Sequence, residues 1–411
     1  MPDAASPAGR VVLFDNGLVQ RIGHHAHFAF GLARLLARDS RPFIALASQS
    51  MEPQLATDPL APRPVFGLYL NEIIAKGDPV ERVWNDHQIG SRRYAADLQR
   101  SGFEPLETDL LWMPTARARE IAGLAAWLKK RKARPRIMLG FHSLLRPIEP
   151  GTVSGLLHRM AGRALDDAIG HDRVLAYATN KPLAMLLTSA MGLPVHAAPL
   201  PHFYSELRRD EALPELPAGD GPLVGCLGMQ REDKRFADLP GLLSRARALR
   251  PDLRFLVQVG VHELDPSFLS LEADPHIRLI RGYLEDRTFC ALVRACDLLL
   301  LPYRAARYVS RISGPFVFGA VYGTPSIVPA RTWMAERIAA GRAAGLVYDG
   351  DDPMLIETLA HGADDLTNLH GKAAKLQRMW RSWDGRALLK VALRWSAGRS
   401  LEELRRDASE A

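Results

Sequence analysis

The alternation of apolar and polar positions changes period repeatedly along the chain, and each change marks an element. Val11-Val12-Leu13-Phe14 is a short apolar run that stops at Asp15-Asn16-Gly17. An unbroken apolar run of this length suits a strand buried on both faces. A loop through Gly23-His24-His25 follows, then apolar residues recur at helical spacing over 26–37, and 42–47 reads as a second strand. This β-α-β order predicts a parallel sheet covered by helices. Helical spacing returns over 82–99 and 117–132, and 182–191 reads as a further helix. Apolar runs at 136–141, ending at His142, and at 174–178 read as buried strands.

Proline then becomes frequent, at Pro194, Pro199, Pro201, Pro214, Pro217 and Pro222, and the stretch reads as a linker. The α/β rhythm restarts behind it. Leu223 to Gly228 is a strand with a glycine-bearing loop, 239–249 a helix, and 254–259 and 277–280 are strands. An amphipathic helix over 286–295 carries Phe289, Leu292 and Val293 on one face. A strand over 298–301 is stopped by Pro302, a short apolar helix spans 316–322, and 325–328 is again a strand. The predicted class is α/β with two Rossmann-like domains, which also suits a chain of 411 residues, long for a single core. The expected boundaries are 1–198 for the first domain, 199–222 for the linker, 223–380 for the second domain and 381–411 for a helical segment. That last segment has Trp383 and Trp395 close behind Trp380, with Lys375, Arg378, Arg381 and Arg394 among them, and reads either as a helix packed on a domain or as a membrane-binding helix. Ligands of open α/β sheets bind outside the carboxyl ends of the strands. A cleft between two such edges is the expected ligand site.

Composition narrows the class. Hydrophobic residues at 47% and charged residues at 24% are ordinary for a globular protein, and no apolar run approaches the roughly 20 residues that span a bilayer. Met1 to Arg10 lacks the cationic and apolar regions of a signal peptide, so a cytoplasmic location is expected. Cys226, Cys290 and Cys296 are too irregularly spaced for a disulfide framework or a zinc knuckle and read as reduced core thiols. A net charge of +7 favours anionic partners. Its densest run, from Lys129 to Arg136, reads either as a solvated helix end or as a peripheral contact with the inner face of a membrane. No recognition motif accompanies it, so nucleic acid is not expected as a partner.

The chemistry concentrates in Gly228-Met229-Gln230-Arg231-Glu232-Asp233-Lys234, a loop between a buried strand and a helix. Two cations three positions apart on such a loop can converge on one diphosphate and neutralise the charge of a departing nucleoside diphosphate. The bland alternative is a surface loop whose cations pair with Glu232, Asp233 or Asp238. Downstream, Ser313-Gly314-Pro315 has the form of a helix start, with Ser313 as cap and free N–H groups suited to phosphate. Arg304, Arg307 and Arg311 flank it, and Tyr303 or Tyr308 is placed to lie against a base. In the first half, His142 follows a buried strand and is the candidate catalytic residue there. Gly23 permits close backbone approach, and Asp15, at the end of the first strand, is placed to position a hydroxyl, with His24 and His25 in the loop behind it. His24, His25 and His27 also invite a metal reading, but no acidic or cysteine partner has matching spacing, and no metal is expected.

The run formed by this loop, Gly282-Tyr283-Leu284, Pro302-Tyr303 and Gly323-Thr324-Pro325 resembles the C-terminal domain of GT-B glycosyltransferases, in particular the retaining family 4 type. That group's G-x-x-x-R-x-x-K loop matches directly at Arg231 and Lys234 and less closely at Gly228. The resemblance covers about 223–350 well and the first domain only loosely. It implies two Rossmann-like domains facing each other across a cleft, a nucleotide-sugar donor held by Gly228, Arg231 and Lys234, the Gly23-His24-His25 loop under the donor phosphates and the acceptor, and a final helix that crosses back onto the first domain. It also implies metal-independent transfer with retention, and no cofactor beyond the donor as co-substrate. The acceptor would be a hydroxyl on a glycan, a lipid-linked sugar or a protein. One departure stands out. The family's two glutamates before the final turn fall here on Ser310 and Phe318, and phenylalanine cannot accept a hydrogen bond from a ribose hydroxyl. A catalytically silent homologue acting as a binding or scaffold subunit is therefore the alternative.

Overall fold

The computed structural model describes residues 9–58, 60–142, 148, 151–198, 202–203, 213–229, 231–260, 266–400 and 403. The chain divides into two compact units, Met1–Phe203 together with Trp383–Ala411, and Tyr204–Ser382. Each is built on one parallel sheet.

In the first unit the elements run β1 (Val11–Asp15), α1 (His24–Arg38), β2 (Phe43–Ser48), α2 (Pro53–Ala56), β3 (Arg63–Phe66), α3 (Pro79–Arg100) and β4 (Leu110–Met113). They continue through α4 (Ala118–Leu128), β5 (Arg136–Phe141), α5 (Val153–Ile169), β6 (Val174–Ala178), α6 (Lys181–Met191) and β7 (Val195–Ala197). The sheet order is β3-β2-β1-β4-β5-β6-β7, so the winding direction reverses between β1 and β4. Successive residues of these strands face opposite cores. Phe14 and Leu111 bury on one side with Trp127, whereas Leu13 and Trp112 bury on the other with Phe28. This alternation between two apolar faces is why the strands read as unbroken apolar runs.

The second unit comprises β8 (Leu223–Cys226), α7 (Leu239–Leu249), β9 (Arg254–Val259), α8 (Pro266–Leu271), β10 (Ile277–Arg281), α9 (Asp286–Ala295) and β11 (Leu298–Leu300). It closes with α10 (Gly314–Tyr322), β12 (Ser326–Pro329), α11 (Trp333–Ala339), β13 (Gly345–Tyr348), α12 (Asp352–Asp364) and α13 (Leu366–Ser382). Its order, β10-β9-β8-β11-β12-β13, puts the reversal between β8 and β11. Beyond α13 the chain enters α14 (Gly385–Ser396), which belongs to the first unit. Leu388, Leu389, Ala392 and Trp395 of α14 join the core that holds Phe28 and Trp112. The Arg136 guanidinium lies 5.0 Å from the Trp395 ring centroid.

Several elements were not predicted from the pattern. Leu110–Met113 is apolar but only four residues long, and it forms the strand beside the reversal point. Helix α5 lay in a stretch from which no element was read, and β3 and β7 are short edge strands. The basic run begins where α4 ends. Two of its cations pair, Lys129 with Asp167 at 3.7 Å on the surface and Arg131, largely buried over the Trp127 ring, with Glu104 at 3.2 Å. Among the described residues no helix is long and apolar enough to cross a membrane.

Candidate functional site

In the second unit the candidate residues gather at the carboxyl end of β8, beside the reversal point. Gly228, two residues past the strand, has φ 110°, a conformation that only glycine adopts freely. A Cβ placed there would lie 2.7 Å from Lys234 Nζ and 3.0 Å from Pro315 Cγ, so the bare glycine lets the loop, the lysine and the start of α10 close on one another. The Gly228 N–H donates to Gln258 Oε1 at 2.8 Å, and Gln258 Nε2 donates to the Gly282 carbonyl at 3.1 Å. One buried carboxamide on β9 thus ties the loop behind β8 to the turn behind β10.

A 3-10 turn over Glu232–Lys234 follows and separates the two cations of the loop. Arg231 leans toward Asp233, Nε to Oδ1 at 3.4 Å. Lys234 turns back instead, with its amine 5.6 Å from the Tyr303 ring centroid and no carboxylate within ion-pair distance among the described residues. Burial, with a further push from the Arg231 charge, lowers Lys234 to about 7. The surface-pairing alternative thus describes Arg231 in part and Lys234 not at all. A small cavity opens here, lined by Leu227, Gly228, Met229, Lys234, Gln258 and Tyr303. The buried Tyr303 hydroxyl makes no well-formed hydrogen bond among the described residues, although Ser313 lies close enough to influence it. Its own burial, first of all, raises it far above the phenol range.

Helix α10 starts beside this cavity. Ser313 Oγ accepts from the Phe316 N–H at 3.3 Å, and the position of a Gly314 Cβ has open space around it. Gly228, Arg231, Lys234, Tyr303, Ser313 and Gly314 are therefore neighbours, while Ser310 sits half-exposed on the approach to the helix. Tyr303 and Tyr308, the candidates to lie against a base, pack side by side. Both rings are buried, their centroids 4.6 Å apart, with Lys234 over one and Arg311 over the other. Of the two, Tyr303 lines the cavity, whereas Tyr308 does not; the exposed aromatic near the site is Tyr283, in the turn that Gln258 holds. Phe318 packs edge-on against Phe289 at 5.2 Å and stacks with Tyr322, so its side chain serves an aromatic cluster.

The first-unit candidates also gather, at the carboxyl ends of β1 and β5. Asp15, buried at the last position of β1, accepts from the Gly17 N–H at 3.0 Å and pairs with His25 Nδ1 at 2.8 Å. Gly17 is bare because the His25 ring fills the place of its side chain, with Cε1 2.4 Å from where a Cβ would be. Gly23 leads into α1, the His24 ring lies tilted at 4.0 Å from that of His25, and His142 stands 6.3 Å from His24. Burial and the His25 charge hold His142 down at about 4, against smaller opposing effects of Asp15 and the Pro114 carbonyl. It is therefore neutral at physiological pH. His27 is occupied elsewhere, its Nε2 accepting from the Phe203 N–H at 3.0 Å. Among the described residues no group of three or more histidine, cysteine or acidic side chains is arranged to hold a metal ion. Behind β1, Asn16 donates to the buried Glu120, which pairs with Arg119 at 2.9 Å, anchoring the loop at this edge.

Gln258 was not singled out from the sequence, Arg311 was named there only as one of three arginines flanking the helix start, and Asp233 only as an alternative partner for the loop's cations. The Gln258 signal was present: it is the one uncharged polar residue within the apolar core of its strand.

No family model matches this chain, and no curated protein matches it in sequence. Solved structures do match in fold. A glycosyltransferase from Rickettsia africae aligns over 95% of this chain and 100% of its own, with a TM-score of 0.62 and 11% identity. The UDP-forming α,α-trehalose-phosphate synthase of Burkholderia xenovorans aligns over 95% and 100%, with a TM-score of 0.58 and 11% identity. HepE of Anabaena, solved with UDP and glucose, aligns over 95% and 100%, with a TM-score of 0.59 and 13% identity. Two parallel, helix-covered sheets and these neighbours define the class: the chain has the GT-B glycosyltransferase fold, with two Rossmann-like domains. At such identities the likeness is one of fold.

Proposed function

We propose that this protein transfers a sugar from a nucleoside-diphosphate donor to an acceptor hydroxyl in glycan or glycoconjugate synthesis. The observation that carries this reading is the meeting of Lys234, Arg231 and the start of α10 around Gly228, at the reversal point of the second sheet. Fixed cations suit the charge that grows on a leaving diphosphate, and the Gly314 N–H adds a donor at the start of α10, where Pro315 has none and Ser313 holds those of Phe316 and Val317. With that charge met by side chains, the reaction does not require a divalent ion. In the retaining course implied by the family resemblance, a departing phosphate oxygen takes the acceptor proton on the face it leaves. A glycan, a lipid-linked sugar or a protein would supply the hydroxyl, and the reaction would run in the cytoplasm, with peripheral contact at the inner face of the membrane. The UDP bound to HepE supports a nucleotide-sugar donor.

A thermal-shift screen against UDP-, GDP-, ADP- and TDP-sugars tests the donor site. Stabilisation by one nucleotide, lost in an Arg231→Ala/Lys234→Ala double variant, is the expected result. No response, or a response indifferent to those changes, refutes it. A second reading, a catalytically silent binder, is favoured by the engagement of Phe318 with Phe289 and Tyr322. Nucleotide binding without turnover of any donor, in the presence of candidate acceptors or of water alone, would select it.

A further inference from the structure

We propose that Arg311 is a third cation of the diphosphate site and that Asp233 is the residue that positions it, a reading that rests on the donor site proposed above. Arg311 lies two residues before the Ser313 cap, and its Nη1 donates to Asp233 Oδ2 at 2.9 Å. The Tyr308 hydroxyl donates to the same oxygen at 3.1 Å, and Arg231 Nε approaches the other at 3.4 Å. One carboxylate thereby draws together two guanidiniums that are 80 positions apart in sequence (231 and 311). The Asp233 side chain is 14% exposed, against 47% for Arg231 and 30% for Arg311, so the carboxylate is sheltered while the cations face outward.

Other arginines of this unit show what purely structural pairing looks like. Arg235, one residue beyond Lys234, meets two carboxylates, Asp238 and Asp352, each at 2.7 Å. Arg250 likewise meets Asp252 at 3.0 Å and Asp364 at 2.7 Å. At Arg250 carboxylates outnumber cations, and at Arg235, where Asp352 also takes Arg245 at 2.7 Å, they match them. Around Asp233 the ratio is inverted: among the described residues Arg231 and Arg311 share their single carboxylate, and Lys234 beside them has none. Such a surplus suits an anion that can touch several cations at once. A diphosphate does so, because its two phosphates present oxygens to more than one planar guanidinium fork. A monophosphate reaches fewer of them. Arg311 can keep one N–H on Asp233 while its remaining donors bind phosphate, so binding needs no break in the clamp.

The test is calorimetric titration of the full chain with UDP, GDP, ADP and TDP and with each corresponding monophosphate, at constant salt. The wild type is expected to prefer a diphosphate. Arg311→Ala should weaken that diphosphate roughly tenfold, the loss of one charge-assisted contact, and its monophosphate much less. Arg311→Lys, which keeps the charge and loses the fork, should recover only part of the preference. Arg307→Ala, at an exposed neighbour outside the clamp, should change neither. Asp233→Asn separates positioning from bulk charge: removing a negative charge alone would tighten both ligands, whereas loss of the anchor narrows the preference for the diphosphate. If Arg311→Ala and Arg307→Ala behave alike, or Asp233→Asn leaves the preference intact, the proposal is wrong while the donor site stands. If the wild type binds no nucleotide, or the Arg231→Ala/Lys234→Ala variant binds as well as wild type, both fall.

Discussion

Lys234 places its amine against the Tyr303 ring and beside the Arg231 charge, and in the ligand-free protein it titrates at about 7 rather than in the usual lysine range. A bound diphosphate favours the ammonium and raises that value, so above pH 7 binding must take up a proton. Affinity for a nucleoside diphosphate should be highest below pH 7. It should fall as pH rises through 7, by up to about tenfold per unit, until the raised value of the complex is reached. Titrations in two buffers of different ionisation enthalpy would show the uptake directly, and Lys234→Arg should flatten the profile. A profile equally flat in wild type would remove Lys234 from the site. Gly228→Ala is a second residue-scale prediction. With φ at 110° and a Cβ directed at Lys234 and Pro315, it should cost about 1–3 kcal/mol of stability and abolish nucleotide binding. A denaturant midpoint and a titration together measure both. At this scale the legible residues were those whose role shows locally: a glycine behind a strand and two cations three positions apart. Gln258 and Arg311 act through partners 30 and 78 positions away, and no short-range pattern encodes such contacts.

Helix α10 shows what is legible at the scale of an element. The apolar pattern starts at Phe316, yet the helix starts at Gly314, because cap chemistry rather than periodicity sets its first turn. Ser313→Ala removes the acceptor for the Phe316 N–H and should destabilise the second unit by about 1 kcal/mol, read as a shift of its thermal or urea midpoint. If the cap only shapes the helix, nucleotide affinity should fall in step with the loss of order in its first turn. An unchanged midpoint would mean that the first turn is held by packing of Phe316 on Trp333 and Trp380 instead. Long amphipathic helices such as α3 were readable because one apolar stripe recurs over many turns. Strand β4 was not, since four apolar residues satisfy strand and helix templates alike. Its place beside β1 comes from the sheet, which supplies neighbours on both sides.

For the whole molecule, the informative feature is the route of the last helices. Trp380 and Trp395, close in sequence, belong to different cores. Trp380 donates to the Arg342 carbonyl at 2.7 Å and packs with Trp333 in the second unit. Trp395 joins Phe28 and Trp112 in the first. The family resemblance implied a final helix crossing back, but neither it nor the aromatic–basic composition says which tryptophan a core receives. The change of unit is marked at Asp384, a buried cap that accepts from the Arg386 N–H at 2.9 Å, and the next residue, Gly385, donates to the His202 carbonyl at 2.6 Å. Truncation after Ser382 should therefore act on one unit. Loss of Leu388, Leu389 and Trp395 from the core, at about 1.5–3 kcal/mol for each large buried side chain as an upper range, should destabilise the first unit by several kcal/mol. Unfolding followed by far-UV circular dichroism should then show an early transition absent from the full chain. Nucleotide binding by the second unit, whose residues at Gly228, Lys234 and Arg311 all precede the cut, should persist below that transition. Truncation that leaves the unfolding profile unchanged would show that α14 contributes no stability to the first core. Truncation that abolishes nucleotide binding while the second unit remains folded would show that the donor site draws on more than the residues of that unit.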